Sequence, residues 1–320
     1  MTMKVFLTGA NGFVGRAIVE RLSISSEHQL VAGYRSEVQN QQAGVSSCQV
    51  PDLDAAADWS GVLTNIDTVI HSAARVHVMN DQSADPLTEF RKVNVDGTLC
   101  LSRQAAAAGV RRFVFISSIK VNGEGTDNGR PYTAADTPTP QDPYGISKME
   151  AEQGLRLIAQ ETGMEVVIIR PVLVYGPGVK ANFRSMMNWL NKGIPLPLGR
   201  IHNKRSLVAL DNLVDLIVTC TQHPAAANQT FLVSDGEDLS TTELLTRMSK
   251  ALDRPARLLP VPAGLLELGG KLLGKDAVMQ RLCGSLQVDI SHTRQTLGWV
   301  PPVSVDSALR KTADHFLATV

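Results

Sequence analysis

The sequence predicts an α/β protein with a doubly wound parallel sheet and a smaller, interleaved C-terminal α/β domain. Two observations support this fold class. Through the first half, short and nearly continuous apolar stretches alternate with helical patterns, which is typical of parallel strands buried on both faces. After about residue 171 the pattern becomes irregular and rich in Pro, Gly and Asn, which indicates a change of architecture.

Five apolar stretches are the predicted strands of the first half, in order KVFLTG, HQLVAGYR, DTVIHSAA, RRFVFISS and EVVIIRPV. Helices are predicted between them, among them GRAIVERLSI and NVDGTLCLSRQAAAAG, the second ended by Gly109 as a cap. We expect one domain over 1–171 with a return at about 206–236, and a second domain over 172–205 and 237–320.

Composition narrows the class of partner. The 31 basic and 31 acidic residues cancel, so no global field attracts nucleic acid or an anionic membrane. The four scattered cysteines are expected to be reduced thiols, and no apolar run reaches the roughly 18 residues of a membrane span. We therefore expect a cytoplasmic protein without a nucleic acid partner or membrane insertion.

The stretch VFLTGANGFVG places three glycines between the first strand and the first helix. Glycines there let the backbone turn tightly and approach a pyrophosphate that sits at the helix N-terminus. An ordinary tight turn is the alternative, but the position after the first strand favours a Rossmann-type dinucleotide site. The predicted phosphate-binding loop comprises Gly9, Asn11, Gly12, Phe13, Val14 and Gly15.

The end of the second predicted strand, VAGYRS, bears on the choice of cofactor. No carboxylate is present there to bind a ribose 2′-hydroxyl, whereas the fork of Arg35 suits a 2′-phosphate. This favours NADP and leaves NAD open, and a solvated Arg35 is the alternative. Asp52 and Leu53 follow the third strand and are predicted to contact the adenine, unless they form a plain surface turn.

The stretch YGISK places Tyr144 and Lys148 one above the other on a helix, and Ser118 ends an upstream strand. A free tyrosine has a pKa near 10, about three units too high for a base at neutral pH. A neighbouring ammonium and an oxidised nicotinamide both favour the phenolate. Tyr144 is thus predicted to exchange a proton, with Ser118 bonding the reacting oxygen and Lys148 supplying positive charge.

The chain resembles the extended short-chain dehydrogenases/reductases of the nucleotide-sugar epimerase, dehydratase and reductase group. The resemblance is carried by TGANGFVG, HSAA (71–74), Asn94, the serines at 117–118, YGISK, RPVLVYGPG (170–178) and LGWVPPVSVDSALRKT (297–312). It implies a Ser118–Tyr144–Lys148 triad, with Asn94 as a structural or proton-relay residue and Ala73 and Ala74 beside the cofactor.

The same resemblance implies a UDP-sugar site in the second domain. Asn182 matches a position that meets the diphosphate or the base of the nucleotide, and Arg205 matches the arginine that pairs with the diphosphate. Arg281 is a further candidate for the same anion. Lys120 is predicted to orient a sugar hydroxyl or to be a solvated residue at the mouth of the site. The resemblance also implies a homodimer with a four-helix contact, formed by the alanine-rich helix at 93–108 and the helix that carries Tyr144. The alternative is that the small residues of the first helix face the sheet.

The residues after Ser118 bear on the reaction. Related 4,6-dehydratases carry an Asp-Glu pair there, whereas this chain has Ile119 and Lys120, so a dehydratase is not expected. A 4-ketoreductase and a 4-epimerase need only hydride transfer. We favour the reductase, similar to those acting on UDP-4-keto-6-deoxy-N-acetylhexosamines for surface polysaccharide, with a UDP-sugar 4-epimerase as the alternative. A steroid or flavonoid reductase and a non-catalytic NAD(P) sensor fit less well.

Overall fold

The computed structural model describes residues 2–36, 43–76, 85–127, 129–272, 274 and 276–319. Within them, seven parallel strands form the main sheet: β1 (Met3–Thr8), β2 (His28–Tyr34), β3 (Val45–Gln49), β4 (Thr68–His71), β5 (Arg112–Ile116), β6 (Glu165–Pro171) and β9 (Thr230–Val233). Their order across the sheet is β3-β2-β1-β4-β5-β6-β9. The order is that of a doubly wound sheet, and the predicted fold class is confirmed.

Twelve helices are present in the described part of the chain: α1 (Phe13–Ser23), α2 (Ser60–Leu63), α3 (Pro86–Arg91), α4 (Thr98–Ala107), α5 (Pro143–Thr162), α6 (Ala181–Asn191), α7 (Leu210–Gln222), α8 (Thr241–Ala251), α9 (Ala263–Leu272), α10 (Asp276–Cys283), α11 (Ser291–Leu297) and α12 (Val305–Leu317). A π-helical turn, Lys92–Gly97, joins α3 to α4, and a 3-10 turn, Ile119–Val121, follows β5. Gly109 has a φ of +83° just after α4, as its predicted capping role requires.

Strand periodicity divides the main core between the two faces of the sheet. On β5, Val114 and Ile116 pack into the core under α1 and α7, whereas Phe113 and Phe115 pack into the core under α4 and α5. Because both faces are covered, every residue of β5 is buried, and this explains why the strand reads as a continuous apolar run.

A second, three-stranded sheet contains β7 (Leu173–Tyr175), β8 (Arg205–Ala209) and β10 (Asp238–Leu239). Helices α6, α8 and α12 contribute to the core beside it. The sequence predicts that the segment 206–236 returns to the main domain. In the structure, β8 belongs to the small sheet, whereas α7 packs on α1 and β9 is an edge strand of the main sheet. None of the described helices is long and apolar enough to cross a membrane.

Candidate active site

The glycine loop after β1 is a close-packed turn. Gly9 adopts a φ of +74°, and its carbonyl accepts a hydrogen bond of 2.8 Å from the Gly12 amide. A Cβ on Gly9 would lie 2.7 Å from the Ala73 amide nitrogen, and one on Gly15 would overlap the Gly9 carbonyl. Gly9 and Gly15 are therefore needed for the loop, the first helix and the end of β4 to approach one another.

Helix α1 begins at this loop with donors free to bind an anion. Gly12 is its N-cap and has no side chain, and its first turn contains no acidic residue. The amides of Phe13 and Val14 therefore have no intrahelical acceptor. Uncapped amides and the positive end of the helix dipole fit the pyrophosphate of a dinucleotide, as the sequence predicts.

Asn94 fixes the chain that follows β4. Its side-chain amide donates to the Arg75 carbonyl and to Ser147 Oγ, each at 3.0 Å, and its Oδ1 accepts from the Arg75 amide at 2.8 Å. Asn94 is buried in the π-helical turn and joins the segment carrying Ala73 and Ala74 to helix α5. These bonds fit the structural half of the role predicted for Asn94.

Arg35 and Asp52 follow neighbouring strands and form an exposed ion pair of 3.6 Å. No carboxylate follows β2, which is the reason to expect NADP, but the structure places the Asp52 carboxylate in the same region, at the end of β3. Leu53 packs against the π-helical turn, where a Cβ on Gly97 would lie 2.7 Å from the Leu53 carbonyl carbon. The nucleotide contacts predicted for these residues stay predictions.

Helix α5 places Tyr144 and Lys148 on one face. Asp142 begins the helix as its N-cap, accepting a hydrogen bond of 2.7 Å from the Gly145 amide, and Pro143 occupies the first helical position. Sequence analysis overlooked Asp142, although Asp-Pro before a helix is itself a start signal. The predicted proton donor therefore lies in the first turn of a well-capped helix.

Tyr144 lies in an apolar setting. Its ring meets that of Phe90 edge to face at 6.0 Å between centroids. Burial and then the charge of Asp142 raise the pKa of Tyr144 to about 12, while a hydrogen bond with Ser118 lowers it. The structure thus brings Ser118 and Tyr144 together as predicted. The phenol needs positive charge nearby to lose its proton at neutral pH.

Lys148 is buried below Tyr144. Its Nζ donates to the Ile116 carbonyl at 2.8 Å and lies 4.4 Å from the centre of the Phe115 ring. Burial lowers the pKa of Lys148 to about 7, and the charge of Glu152 opposes this shift. The charge that Lys148 is predicted to supply to the Tyr144 phenolate stays a prediction.

A buried ion pair lies behind these residues. Glu152 accepts hydrogen bonds from Arg170 Nε at 2.9 Å and from Ser117 Oγ at 2.6 Å, and Arg170 also donates to Asn122 Oδ1 at 2.9 Å. The network joins α5, β6 and the end of β5, and so fixes the backbone on which Ser118 sits. The sequence contains no local signal for a pair separated by 18 positions.

Lys120 contacts carboxylates of the chain. Its Nζ lies 2.9 Å from Glu124 Oε1 and also bonds Asp142 Oδ2. Its predicted sugar contact stays a prediction. The two residues after Ser118 include no acid, but the fold places two carboxylates from further along the chain next to Lys120.

The residues predicted to bind the nucleotide lie around the second sheet. Arg205 is partly buried on β8, and its guanidinium donates to the Gly284 carbonyl at 3.1 Å. Burial lowers its pKa, as does the charge of Arg281, and within the described residues neither guanidinium forms an ion pair. Asn182 lies exposed in the first turn of α6, which has no side-chain cap. Two unpaired cations and uncapped amides are features that bind a diphosphate.

An open cleft of about 540 Å³ lies next to Gly284. Its lining residues are Arg200, Ile201, His202, Asn203, Pro262, Ala263, Cys283 and Ser285. The cleft is large enough for part of a nucleotide and is bordered by the segment that Arg205 contacts.

A family model described as NAD dependent epimerase/dehydratase family matches residues 5–234. The chain is 52% identical over 318 residues to a UDP-glucose 4-epimerase of Vibrio cholerae, covering 99% of this chain and 96% of the relative. It is 29% identical to a UDP-glucose 4-epimerase of Mycolicibacterium smegmatis, covering 98% of each.

The fold is similar to that of UDP-glucuronic acid 4-epimerase from Bacillus cereus, solved in complex with NAD. The TM-score is 0.79, the match covers 99% of each chain, and the sequences are 18% identical. At this identity the likeness shows the fold.

Proposed function

The chain belongs to the NAD dependent epimerase/dehydratase family, and we propose that it is a UDP-sugar 4-epimerase. The observation that carries the proposal is the 52% identity to the Vibrio cholerae UDP-glucose 4-epimerase along almost the whole of both chains. UDP-glucose and UDP-N-acetylglucosamine are the candidate substrates. Ser118, Tyr144 and Lys148 supply the groups that such a reaction requires.

NAD, when bound, supplies the acceptor and donor of a hydride at C4 of the sugar. Tyr144 takes the proton of the C4 hydroxyl as the sugar is oxidised and returns a proton when it is reduced from the other face. Ser118 donates a hydrogen bond to the same oxygen. The buried ammonium of Lys148 favours the phenolate, because opposite charges attract strongly where water is excluded.

Turning the sugar over requires a firm hold on the part of the substrate that does not react. Arg205, Arg281 and the uncapped start of α6 provide cations and amide donors for a diphosphate, and the cleft beside Gly284 offers space for a nucleoside. Holding the substrate by its UDP group would leave the sugar free to present either face to the cofactor.

The sequence favours a 4-ketoreductase on three grounds: Arg35, the missing acid at the end of β2, and a pattern, including residues 285–305, that is similar to such reductases. The comparisons favour the alternative, since both relatives cited above are UDP-glucose 4-epimerases. The ion pair between Arg35 and Asp52 also weakens the argument for NADP, because a carboxylate is present in the same region. The reductase is therefore the competing activity to test.

The proposal is tested by incubating the purified protein with NAD and either UDP-glucose or UDP-N-acetylglucosamine, while following sugar identity and cofactor absorbance together. We expect the galacto epimer to form without net change in cofactor, and no 4-keto-6-deoxy product. The control replaces the substrate by a UDP-4-keto-6-deoxy sugar with NADH or NADPH. Stoichiometric cofactor consumption there, with no epimer from the first two sugars, would establish the reductase instead.

A further inference from the structure

The two hydroxyl groups of the proposed site come from different elements that a long loop separates in sequence. Ser118 begins the 3-10 turn after β5, and Tyr144 lies in the first turn of α5. Lys120 follows Ser118 by two positions and Asp142 precedes Tyr144 by two, and the Lys120 ammonium bonds the Asp142 carboxylate. The side chains are 24% and 21% exposed, so this ion pair is partly shielded from water.

The backbone is close-packed at the same point. A Cβ on Gly145 would lie 2.8 Å from the Lys120 carbonyl oxygen, so only a glycine lets the turn approach the helix. Asp142 uses its two oxygens separately, with Oδ1 accepting from the Gly145 amide and Oδ2 binding Lys120. The Lys120 amide in turn donates to Ser118 Oγ at 3.2 Å. Lys120 and Asp142 thus connect the Ser118 turn directly to the start of the Tyr144 helix.

The Lys120–Asp142 ion pair also affects the balance of charge near the Tyr144 phenol. On its own helix, Asp142 lies two positions before Tyr144 and raises its pKa, and Lys148 lies four positions after it. The 3-10 turn contributes Lys120, and the loop after it contributes Glu124.

From the side of α3, Tyr144 meets the uncharged ring of Phe90, and the Arg75 guanidinium lies 5.6 Å from the centre of that ring. Lys120 pairs directly with Asp142.

We infer that Lys120 is a positioning residue that, paired with Asp142, holds the Ser118 turn against the Tyr144 helix and balances the carboxylate next to the phenol. The inference rests on the proposed function, in which Tyr144 exchanges the proton. It assigns to Lys120 a role within the protein, in contrast to the sugar contact expected from the sequence. Asp142 acts through the same pair and through the helix cap.

The test uses Lys120→Met, Asp142→Asn and the double variant, because asparagine retains the helix cap while removing the charge. With saturating NAD present, phenolate absorbance is titrated in each variant. The same titration of Tyr144→Phe is subtracted, because three other tyrosines contribute. Glu124→Gln is the matched control, since it removes the second carboxylate on Lys120 and leaves the pair with Asp142 intact. The pH dependence of kcat is measured alongside, and circular dichroism verifies folding.

Lys120→Met should raise the Tyr144 pKa by about one unit, because it removes the Lys120 charge that lies against the Asp142 carboxylate. The rise of kcat with pH should move to higher pH by the same amount. Asp142→Asn should lower the Tyr144 pKa, and the double variant should return it close to that of the unmodified protein. Glu124→Gln should change it much less than Lys120→Met.

An unchanged titration in Lys120→Met with only KM raised would overturn the inference and support a sugar contact. A rise of the Tyr144 pKa in Lys120→Met that the double variant fails to reverse would overturn the inference too. Failure of the proposed function is distinct: the unmodified protein would then turn over no UDP-sugar, while the titration would still decide the role of Lys120.

Discussion

Replacing Lys148 by methionine is predicted to stabilise the folded protein at low pH while abolishing activity. Burial lowers the pKa of Lys148 from 10.5 to about 7. Above about pH 7 the folded lysine releases its proton, whereas the unfolded lysine keeps it up to about pH 10.5. The unmodified protein therefore loses stability as pH falls through this window, and the cost is complete below about pH 7.

The magnitude follows from the distance between the two pKa values. About 3.5 pH units at 1.36 kcal/mol each correspond to about 5 kcal/mol below pH 7. Methionine also loses the hydrogen bond of 2.8 Å to the Ile116 carbonyl, which offsets about 1–2 kcal/mol. Lys148→Met should thus raise the free energy of unfolding by about 3 kcal/mol at pH 6 and lower it by up to about 1 kcal/mol near pH 10, where part of the pH-dependent cost remains.

Urea denaturation without added cofactor, followed by tryptophan fluorescence from pH 6 to pH 10, measures this change of sign. Lys311→Met is the matched control, because Lys311 forms an exposed ion pair with Asp211, and its effect should stay below about 1 kcal/mol at every pH. Equal destabilisation by Lys148→Met at pH 6 and pH 10 would refute the claim that a strained, buried ammonium lies beneath Tyr144.

Three further predictions follow from the site. Tyr144→Phe should retain the fold and cofactor binding and lose about 10²–10⁴-fold in turnover, and near-normal rates would remove Tyr144 from proton transfer. Glu152→Gln should lower the free energy of unfolding by about 3–5 kcal/mol, because it leaves the Arg170 charge buried without its carboxylate partner. The control Glu150→Gln, on the same helix, should cost less than about 1 kcal/mol, and similar urea midpoints for the two variants would contradict this prediction. Arg35→Ala should weaken NADPH binding more than NADH binding, measured by fluorescence titration, and equal effects would make Arg35 a solvated loop residue.

Local patterns were sufficient to predict the main sheet. The run RFVFI predicts β5 because its alternate side chains enter two different cores, so no polar face interrupts it. The spacing of Tyr144 and Lys148 predicts their shared helix face, because residues four positions apart lie one above the other on a helix. The glycine loop needed only its position after the first strand to be identified as a phosphate-binding turn.

Features that depend on contacts distant in sequence could not be predicted. The stretch beginning at Asn94 predicts a regular helix, yet the structure has a π-helical turn over 92–97, and Gly97 there packs against Leu53. Lys120 and Asp142 are separated by 22 positions, and Arg205 and Gly284 by 79. No periodicity encodes such pairs.

The reaction itself was the least predictable feature. Oxidation or reduction at C4 uses Ser118, Tyr144 and Lys148 in the same way in a reductase and in an epimerase. The residues that transfer the proton therefore do not distinguish the two. The sequence argument for the reductase depended on Arg35, and the structure gives that residue a carboxylate neighbour.

The most direct test of the central claim follows a deuterium label. UDP-glucose carrying deuterium at C4 is incubated with the purified protein and NAD, and the product is analysed by mass spectrometry and NMR. A 4-epimerase oxidises and reduces the same carbon, so we predict a galacto epimer that retains the deuterium at C4. Unchanged UDP-glucose together with unchanged UDP-N-acetylglucosamine labelled in the same way, or an epimer without deuterium at C4, would contradict the proposed function.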